Sequence, residues 1–189
     1  DGRLLAEEVI SAGTVIRRTA HTFITDAEVS SQPFPSTIGT NLKLWQPLST
    51  LVRPVRHTVI TQQGMKFGSH VNSFDVFARS TAVREVATDA ITGTPLPERI
   101  ELIGYYDYTP TWTVGLAKSK QYSGQPQKTF EITYHPTSAM PTELRSFGRL
   151  AESYTYNAVG TLATVKDGRN NITTLGNWYR GVPRTVLFV

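Results

Sequence analysis

Alternating apolar and polar side chains recur along the chain and predict a protein built from β-strands. In residues 128–134, Phe130, Ile132 and Tyr134 share one face of an extended segment whose other face is polar. Residues 59–68 predict two extended runs around a turn at Gly64, and residues 184–189 are β-branched and aromatic. Each of these segments has the period expected of a strand with one buried face.

Helical periodicity is nearly absent. Only residues 80–90 are compatible with a helix, through Val83, Val86 and Ala87. The Thr and Val content of this segment favours a strand at least as strongly, because β-branched side chains are stiff in a helix. The chain also has 14 glycines and 11 prolines, which interrupt the apolar runs at short intervals. Together these features predict an all-β, antiparallel fold with many turns.

Residues 32–54 depart from this pattern. The segment contains prolines, which favour extended or turn conformations over interior ladder positions: Pro33, Pro35, Pro47 and Pro54. We expect an irregular connection or edge segment, anchored by burial of Leu42, Leu44 and Trp45. Its composition does not mark it as a domain linker, so residues 1–189 are predicted to form a single β-rich region.

The stretch 154–168 carries the most specific turn signals. An aromatic residue and Asn157 are followed by Gly160, and a strand then runs to the pair Asp167-Gly168. Asn and Asp side chains hydrogen-bond nearby backbone in turns, and glycine takes a positive φ without steric cost. We therefore predict a hairpin and then a second reversal, with Gly160 and Gly168 suited to positive φ.

Weaker copies of this unit occur earlier in the chain. Residues 74–79 repeat the aromatic–Asx turn, with Phe74-Asp75 at its start and Ala78 in the glycine position. Residues 106–107 and 134–135 are more distant echoes, and the unit starts at 74, 106, 134 and 156 drift in spacing. Degenerate repeats of one hairpin unit indicate stacked strands that bury a shared face.

These motifs resemble the YD repeat of the RHS family, whose unit is Tyr-Asp, two variable residues, Gly-Arg, then spaced Leu and Val. The last copy matches this unit at Tyr156, Gly160, Leu162, Val165 and Asp167. Asn157 replaces the aspartate of the unit, and Thr161 replaces its arginine. Further similarity lies in residues 177–183, which resemble a tryptophan-arginine-glycine-proline segment of bacterial members, in residues 105–115 and in residues 2–25.

The resemblance implies a structural function. RHS proteins form ribbons of antiparallel strands, wound in a spiral shell around a toxin or other C-terminal cargo. The self-cleavage segment of the family is rich in Asp-Pro, and this sequence has no Asp-Pro dipeptide, so none of its residues is carried over. We expect a fragment of a bacterial RHS shell, secreted or at the cell surface, whose partners are neighbouring shell segments and an enclosed toxin cargo.

The apolar residues 186–189 add an expectation about association. They predict a strand with no turn or charge after it, and unpaired apolar strand edges template further pairing. We therefore expect the isolated chain either to self-associate edge to edge or to be stable only beside neighbouring chain segments.

Composition narrows the remaining function classes. The net charge is +4, but the 19 Lys and Arg residues are dispersed rather than gathered in a stripe, so we expect no nucleic-acid partner. No run approaches the roughly 18 apolar residues of a membrane-spanning helix. The first residues lack the pattern of a signal peptide. Because cysteine is absent, the chain has no disulfide and no thiol chemistry.

The sequence contains no recognisable catalytic motif. The histidines lack metal-site spacing and are predicted to be surface or turn residues: His21, His57, His70 and His135. Four carboxylates form a glycosidase pair only if folding brings two of them together: Asp75, Glu101, Asp107 and Glu131. We predict a protein that is not an enzyme and has no catalytic, metal-binding or cofactor-binding residues, with a hydrolase as the minor alternative.

The main alternative function is a module that binds carbohydrate or protein. Exposed aromatic side chains can stack on sugars, bases or a partner chain, and the candidates are Trp45, Trp112, Trp178, Tyr105, Tyr106 and Tyr108. We favour the interpretation in which these rings fill the sheet face and form cross-strand pairs. A binding module should collect two or three such rings with polar groups in one cleft, whereas a wall should have a broad face without a deep pocket.

Overall fold

The computed structural model describes residues 3–38, 40–43, 46–51 and 53–188, with the backbone alone between 40 and 51. The strands are β1 (Ala6–Ser11), β2 (Thr14–Phe23), β3 (Thr40–Lys43), β4 (Gln46–Leu51), β5 (Val55–Gln62), β6 (Met65–Phe74), β7 (Ser80–Asp89), β8 (Arg99–Tyr108), β9 (Thr113–Tyr122), β10 (Phe130–Tyr134), β11 (Pro141–Ser146), β12 (Arg149–Tyr156), β13 (Leu162–Asp167), β14 (Ile172–Gly176) and β15 (Thr185–Phe188). The helices are α1 (Asp26–Val29) and a 3₁₀ turn at Thr109–Thr111.

Thirteen strands form one antiparallel sheet whose order follows the chain. It runs β1-β2-β5-β6-β7 and continues strand by strand to β15, while β3 and β4 form a separate two-stranded sheet. Consecutive strands can pair in this way because short turns join antiparallel neighbours. The predicted all-β, antiparallel fold is confirmed.

The sheet belongs to two compact units, Asp1–Leu102 and Ile103–Val189. The first unit contains a hydrophobic core formed by Ile24, Val29, Phe34, Val71 and Phe74. Val71 and Phe74 come from β6, and the ring of Phe34 packs edge-on against Phe74 with centroids 5.6 Å apart. The segment that includes α1 therefore covers one end of the β6 strand.

The second unit has very little fully buried hydrophobic surface. Among its described residues, Ala139 is the one buried hydrophobic side chain, at 7% exposure. Positions on β11 to β14 are half-buried on both faces of the strands, and no α-helix lies among the described residues of this unit. This unit is therefore a single sheet layer with both faces partly exposed.

The strand predictions are confirmed at each segment that alternation or β-branched content indicated. The turn at Gly64 joins β5 to β6, with Gln62 paired to Met65 and with Gln63 and Gly64 at φ 51° and 74°. Two consecutive positive φ values are those of a type I′ hairpin turn, which matches the twist of the flanking strands. Residues 130–134, 185–188 and 80–89 are also strands.

The helical turn α1 was not predicted from the sequence. It shows that residues 80–90 were not the only helix-compatible segment, so that prediction is wrong. The sequence signal was a capping box, in which the Thr25 hydroxyl accepts the Glu28 N–H and the Glu28 carboxylate accepts the Thr25 N–H. In residues 32–54 the backbone forms β3 and β4, while Leu44, Trp45 and the Leu42 side chain lie outside the described residues.

Candidate functional site

Three turns of the sheet share one hydrogen-bond pattern. They span residues 75–79, 157–161 and 167–171, and each begins with Asp or Asn. In each turn, Oδ1 of the first residue accepts hydrogen bonds from the N–H groups two and four positions later. The fourth residue has a positive φ, which is 60° at Ala78, 84° at Gly160 and 73° at Asn170. The prediction for Gly160 is therefore confirmed.

The side chain of the fifth residue closes each turn. Arg79 Nε donates to Asp75 Oδ2 at 2.7 Å, and Asn171 Nδ2 donates to Asp167 Oδ2 at 2.7 Å. In the remaining turn, the side-chain amide of the first residue donates to the hydroxyl of the fifth, Thr161. Asn157 and Thr161 are thus partners in one contact, in which a neutral amide and a hydroxyl occupy the positions of the carboxylate and guanidinium of Asp75 and Arg79.

Gly168 has a different role from the one expected. Its φ is not positive, because Asn170 takes the left-handed position in that turn, so the prediction for Gly168 is wrong. A Cβ added to Gly168 would lie 2.5 Å from the carbonyl oxygen of Leu150. Glycine is therefore required here for close approach of two backbones rather than for its own φ.

Half-buried aromatic side chains in the second unit donate hydrogen bonds to backbone carbonyls on other strands. The side-chain donors and carbonyl acceptors are Tyr134 to Ala117 at 2.7 Å, Tyr156 to Pro141 at 2.8 Å, and Trp178 to Leu162 at 3.0 Å. Burial raises the pKa of both phenols, so they remain protonated donors. Tyr106 stacks on Tyr134 with centroids 4.6 Å apart. These rings therefore hold neighbouring strands together.

The candidate binding aromatics are distributed rather than gathered. Tyr105, Tyr106 and Tyr108 are half-buried on β8, and Trp178 forms the strand contact just described. Trp112 is 71% exposed and follows the 3₁₀ turn with a φ of 55°. Trp45 lies outside the described residues. Trp112 is thus the candidate whose ring is free to contact a partner.

A shallow groove lies on one face of the first unit. It has a volume of about 370 Å³, and its lining is mainly apolar, with Ile60, Phe67 and Ala87 on three adjacent strands. The pair Glu85–Arg99, 2.5 Å apart, forms a charged part of its lining. Phe67 is the one aromatic residue in this lining, so the groove lacks the stacked rings that a sugar-binding cleft uses.

The four histidines have two kinds of surroundings. His21 Nδ1 contacts Thr58 Oγ1 at 3.0 Å, and His135 Nδ1 contacts Thr137 in a turn. His57 and His70 are half-buried and directly opposite each other on β5 and β6. Burial lowers the pKa of His70, and the positive charges of Arg56 and Arg84 lower it further. This imidazole is therefore mainly neutral at pH 7.

The pairing of His57 and His70 was missed because the two residues are far apart in sequence. It was nevertheless implied by the predicted turn at Gly64. In a hairpin with Gln63 and Gly64 at the turn, residues equally distant from it lie opposite each other, and His57 and His70 are such residues.

The candidate carboxylates have local partners. Asp75 binds Arg79 within its turn, Asp107 accepts the N–H of Gly115 at 2.8 Å, and Glu131 is paired with Lys128. Glu101 lies on β8. Asp75 and Glu101 belong to the first unit and Asp107 and Glu131 to the second. The contacts of Asp75 match the turn role that its sequence context indicates, whereas Asp107 lies on β8 and accepts a hydrogen bond from β9.

Within the part of the chain that the structure describes, no helix has the length and apolar character needed to cross a membrane. Comparison of the whole sequence with known proteins finds no matching family model and no matching curated protein. Function must therefore be argued from the sheet, its turns and its exposed surfaces.

Proposed function

We propose that this chain is a structural wall segment of an RHS-type β-shell and does no chemistry of its own. In this proposal, repeated hairpin units extend one sheet along the chain. The wall pairs with neighbouring shell segments and encloses or scaffolds a toxin or other cargo, in a bacterial protein that is secreted or located at the cell surface.

The observation that carries the proposal is the recurrence of one turn in a sheet that follows chain order. The turns at 75–79, 157–161 and 167–171 use the same acceptor oxygen, the same two N–H donors and the same left-handed fourth residue. A unit that satisfies its own turn and pairs only with its neighbours can be added repeatedly without a new closed core. This property suits a wall.

The exposure of the second unit supports the same function. Its strands are half-buried on both faces, and aromatic side chains fix one strand to the next through backbone carbonyls. Cross-strand contacts of this kind stabilise a sheet without a second layer packed on it. Both faces of such a layer remain available to other parts of an assembly.

The outer strand β15 offers a surface for a neighbouring segment. Among the described residues it pairs with β14 alone, and Val186, Leu187 and Phe188 are 44%, 57% and 80% exposed. Its other edge presents backbone N–H and C=O groups that another strand can satisfy. We infer that this edge pairs with shell sequence in the full assembly and with a second copy when the chain is isolated.

We expect the isolated chain to self-associate, and the double variant Val186→Lys/Phe188→Lys to shift it to monomer. The lysines remove apolar surface and place like charges on the edge. Light scattering coupled to size exclusion, over a dilution series, measures the change. The matched control is Ile91→Lys/Val159→Lys, which adds the same charge at turn residues that are 89% and 84% exposed. This control should associate like the wild type.

A wild-type chain that stays monomeric at every concentration, and that the edge lysines leave unchanged, would contradict edge pairing. That result would favour the alternative function, a closed module that binds carbohydrate or protein. The observation in favour of this alternative is the 71% exposure of Trp112. A glycan array or pull-down that depends on Trp112 would then identify the ligand class.

A further inference from the structure

His57 and His70 form a cross-strand pair on one face of the β5–β6 hairpin. They are direct partners in the register, and their ring centroids lie 5.7 Å apart with the planes inclined at 63°. Side chains directly opposite each other in an antiparallel pair point the same way, with Cβ atoms about 4.5–5.5 Å apart. Rotation about the side-chain bonds can therefore bring one nitrogen of each ring toward a common point.

The ring nitrogens of this pair are available. Over the described ranges of the chain, no hydrogen bond involves the ring of His57 or His70, whereas His21 and His135 each use Nδ1 in a contact with a threonine. Both rings of the pair are half-buried, so at least part of each is accessible from solvent. The two histidines without a hydrogen-bonding role are thus the two that face each other.

The neighbouring residues leave room for a ligand, and carboxylates pair with the cations that lie near the two histidines. Gly68 lies beside His57, and a Cβ at that position would be 3.4 Å from His57 Nε2. Arg84 is opposite His70 on β7, but its guanidinium is paired with Glu98 at 3.1 Å. Farther away, Glu28 is 3.8 Å from Arg56. The positive charges near the pair are therefore partly compensated by carboxylates.

We propose that His57 and His70 together bind one divalent ion of the Zn²⁺, Ni²⁺ or Cu²⁺ class. Imidazole nitrogen is a preferred ligand of these ions, whereas Mg²⁺ and Ca²⁺ prefer oxygen. No group of three or more His, Asp or Glu residues suited to a metal occurs among the described residues, so the chain supplies two ligands. The other coordination positions are open to water or to a group from another molecule. This site is independent of the wall function.

The test is a titration of untagged protein with NiCl₂, monitored by isothermal titration calorimetry. We expect one ion per chain. His57→Asn and His70→Asn should each weaken binding by about tenfold or more, because loss of one ligand removes the intramolecular second contact. The matched controls His21→Asn and His135→Asn should bind like the wild type. MgCl₂ should give no binding, since the site offers no oxygen ligand.

A second measurement is independent of the variants and of their folding. Electron paramagnetic resonance of the wild type with Cu²⁺ should show hyperfine coupling to two imidazole nitrogens. Coupling to one nitrogen, or equal Ni²⁺ affinity in the wild type and in folded His57→Asn protein, would overturn the proposal. Loss of binding in a control variant but not in the His57 and His70 variants would overturn it as well.

Discussion

Replacement of Arg53 by Met is expected to destabilise the protein more than any other substitution proposed for this chain. Among the described residues of the first unit, Arg53 is the buried charged residue, at 6% exposure. Its Nε and Nη2 donate to Asp26 Oδ1 at 3.1 and 3.0 Å, and its Nη1 donates to the carbonyl of Ser36 at 2.6 Å and to that of Ile38 at 3.4 Å. One guanidinium thus ties the first turn of α1 to residues 36–38.

The expected loss of stability depends on how each hydrogen-bond acceptor of Arg53 is satisfied once the guanidinium is removed. The side chain of Asp26 is 77% exposed, so its carboxylate regains water when Arg53 is removed. The carbonyls of Ser36 and Ile38 lose a charged donor, and a hydrogen bond to a charged group contributes about 1.5–3 kcal/mol. Because Met keeps most of the apolar stem, we expect a total of about 2–4 kcal/mol in the free energy of unfolding.

Urea denaturation, monitored by circular dichroism, measures this change in the free energy of unfolding. Hydrogen exchange of the Val29 amide, which donates to the Thr25 carbonyl, locates it in the first unit. The matched control is Arg84→Met, whose ion pair with Glu98 is 45% and 51% exposed and should be worth less than about 1 kcal/mol. If Arg53→Met unfolds at the same urea concentration as the control, the guanidinium does not hold this segment in place.

The strands could be predicted from the sequence because each rests on a local pattern. Alternation indicated the strand at 130–134. For residues 80–90, Thr and Val content favoured a strand at least as strongly as a helix, and residues 80–89 form a strand. The core could not be predicted in the same way. It depends on the contact between Phe34 and Phe74, which are far apart in sequence, and no periodic pattern encodes such a contact. Arg53 was not distinguished from surface cations for the same reason.

The candidate sites show the same division between local and nonlocal information. The Asx turns were visible because the acceptor, the donors and the left-handed residue lie within five positions, as in 157–161. Gly168 was misassigned because its close neighbour, the Leu150 carbonyl, belongs to another strand. The pairing of His57 with His70 required strand register, which follows from the turn at Gly64 only once that turn type is known.

Gly160→Val and Ala78→Gly are expected to change stability unequally, although both residues occupy the fourth position of the same turn. Gly160 has a φ of 84°, where a β-branched side chain is strained, so Gly160→Val should cost about 1–3 kcal/mol. The space around Gly160 is not limiting, because the nearest atom to an added Cβ is the methyl carbon of Met140 at 3.9 Å. Backbone strain is therefore the expected cause.

Ala78 already bears part of this strain, with a φ of 60°. Glycine would relieve about 1–2 kcal/mol of left-handed strain but would lose about 0.5–1 kcal/mol through the greater freedom of the unfolded chain. Ala78→Gly should therefore be neutral or stabilise the protein by up to about 1.5 kcal/mol, measured by denaturant unfolding alongside Gly160→Val. Equal destabilisation by both substitutions would show that the two turns are not equivalent. The common unit on which the wall proposal rests would then lose its physical basis.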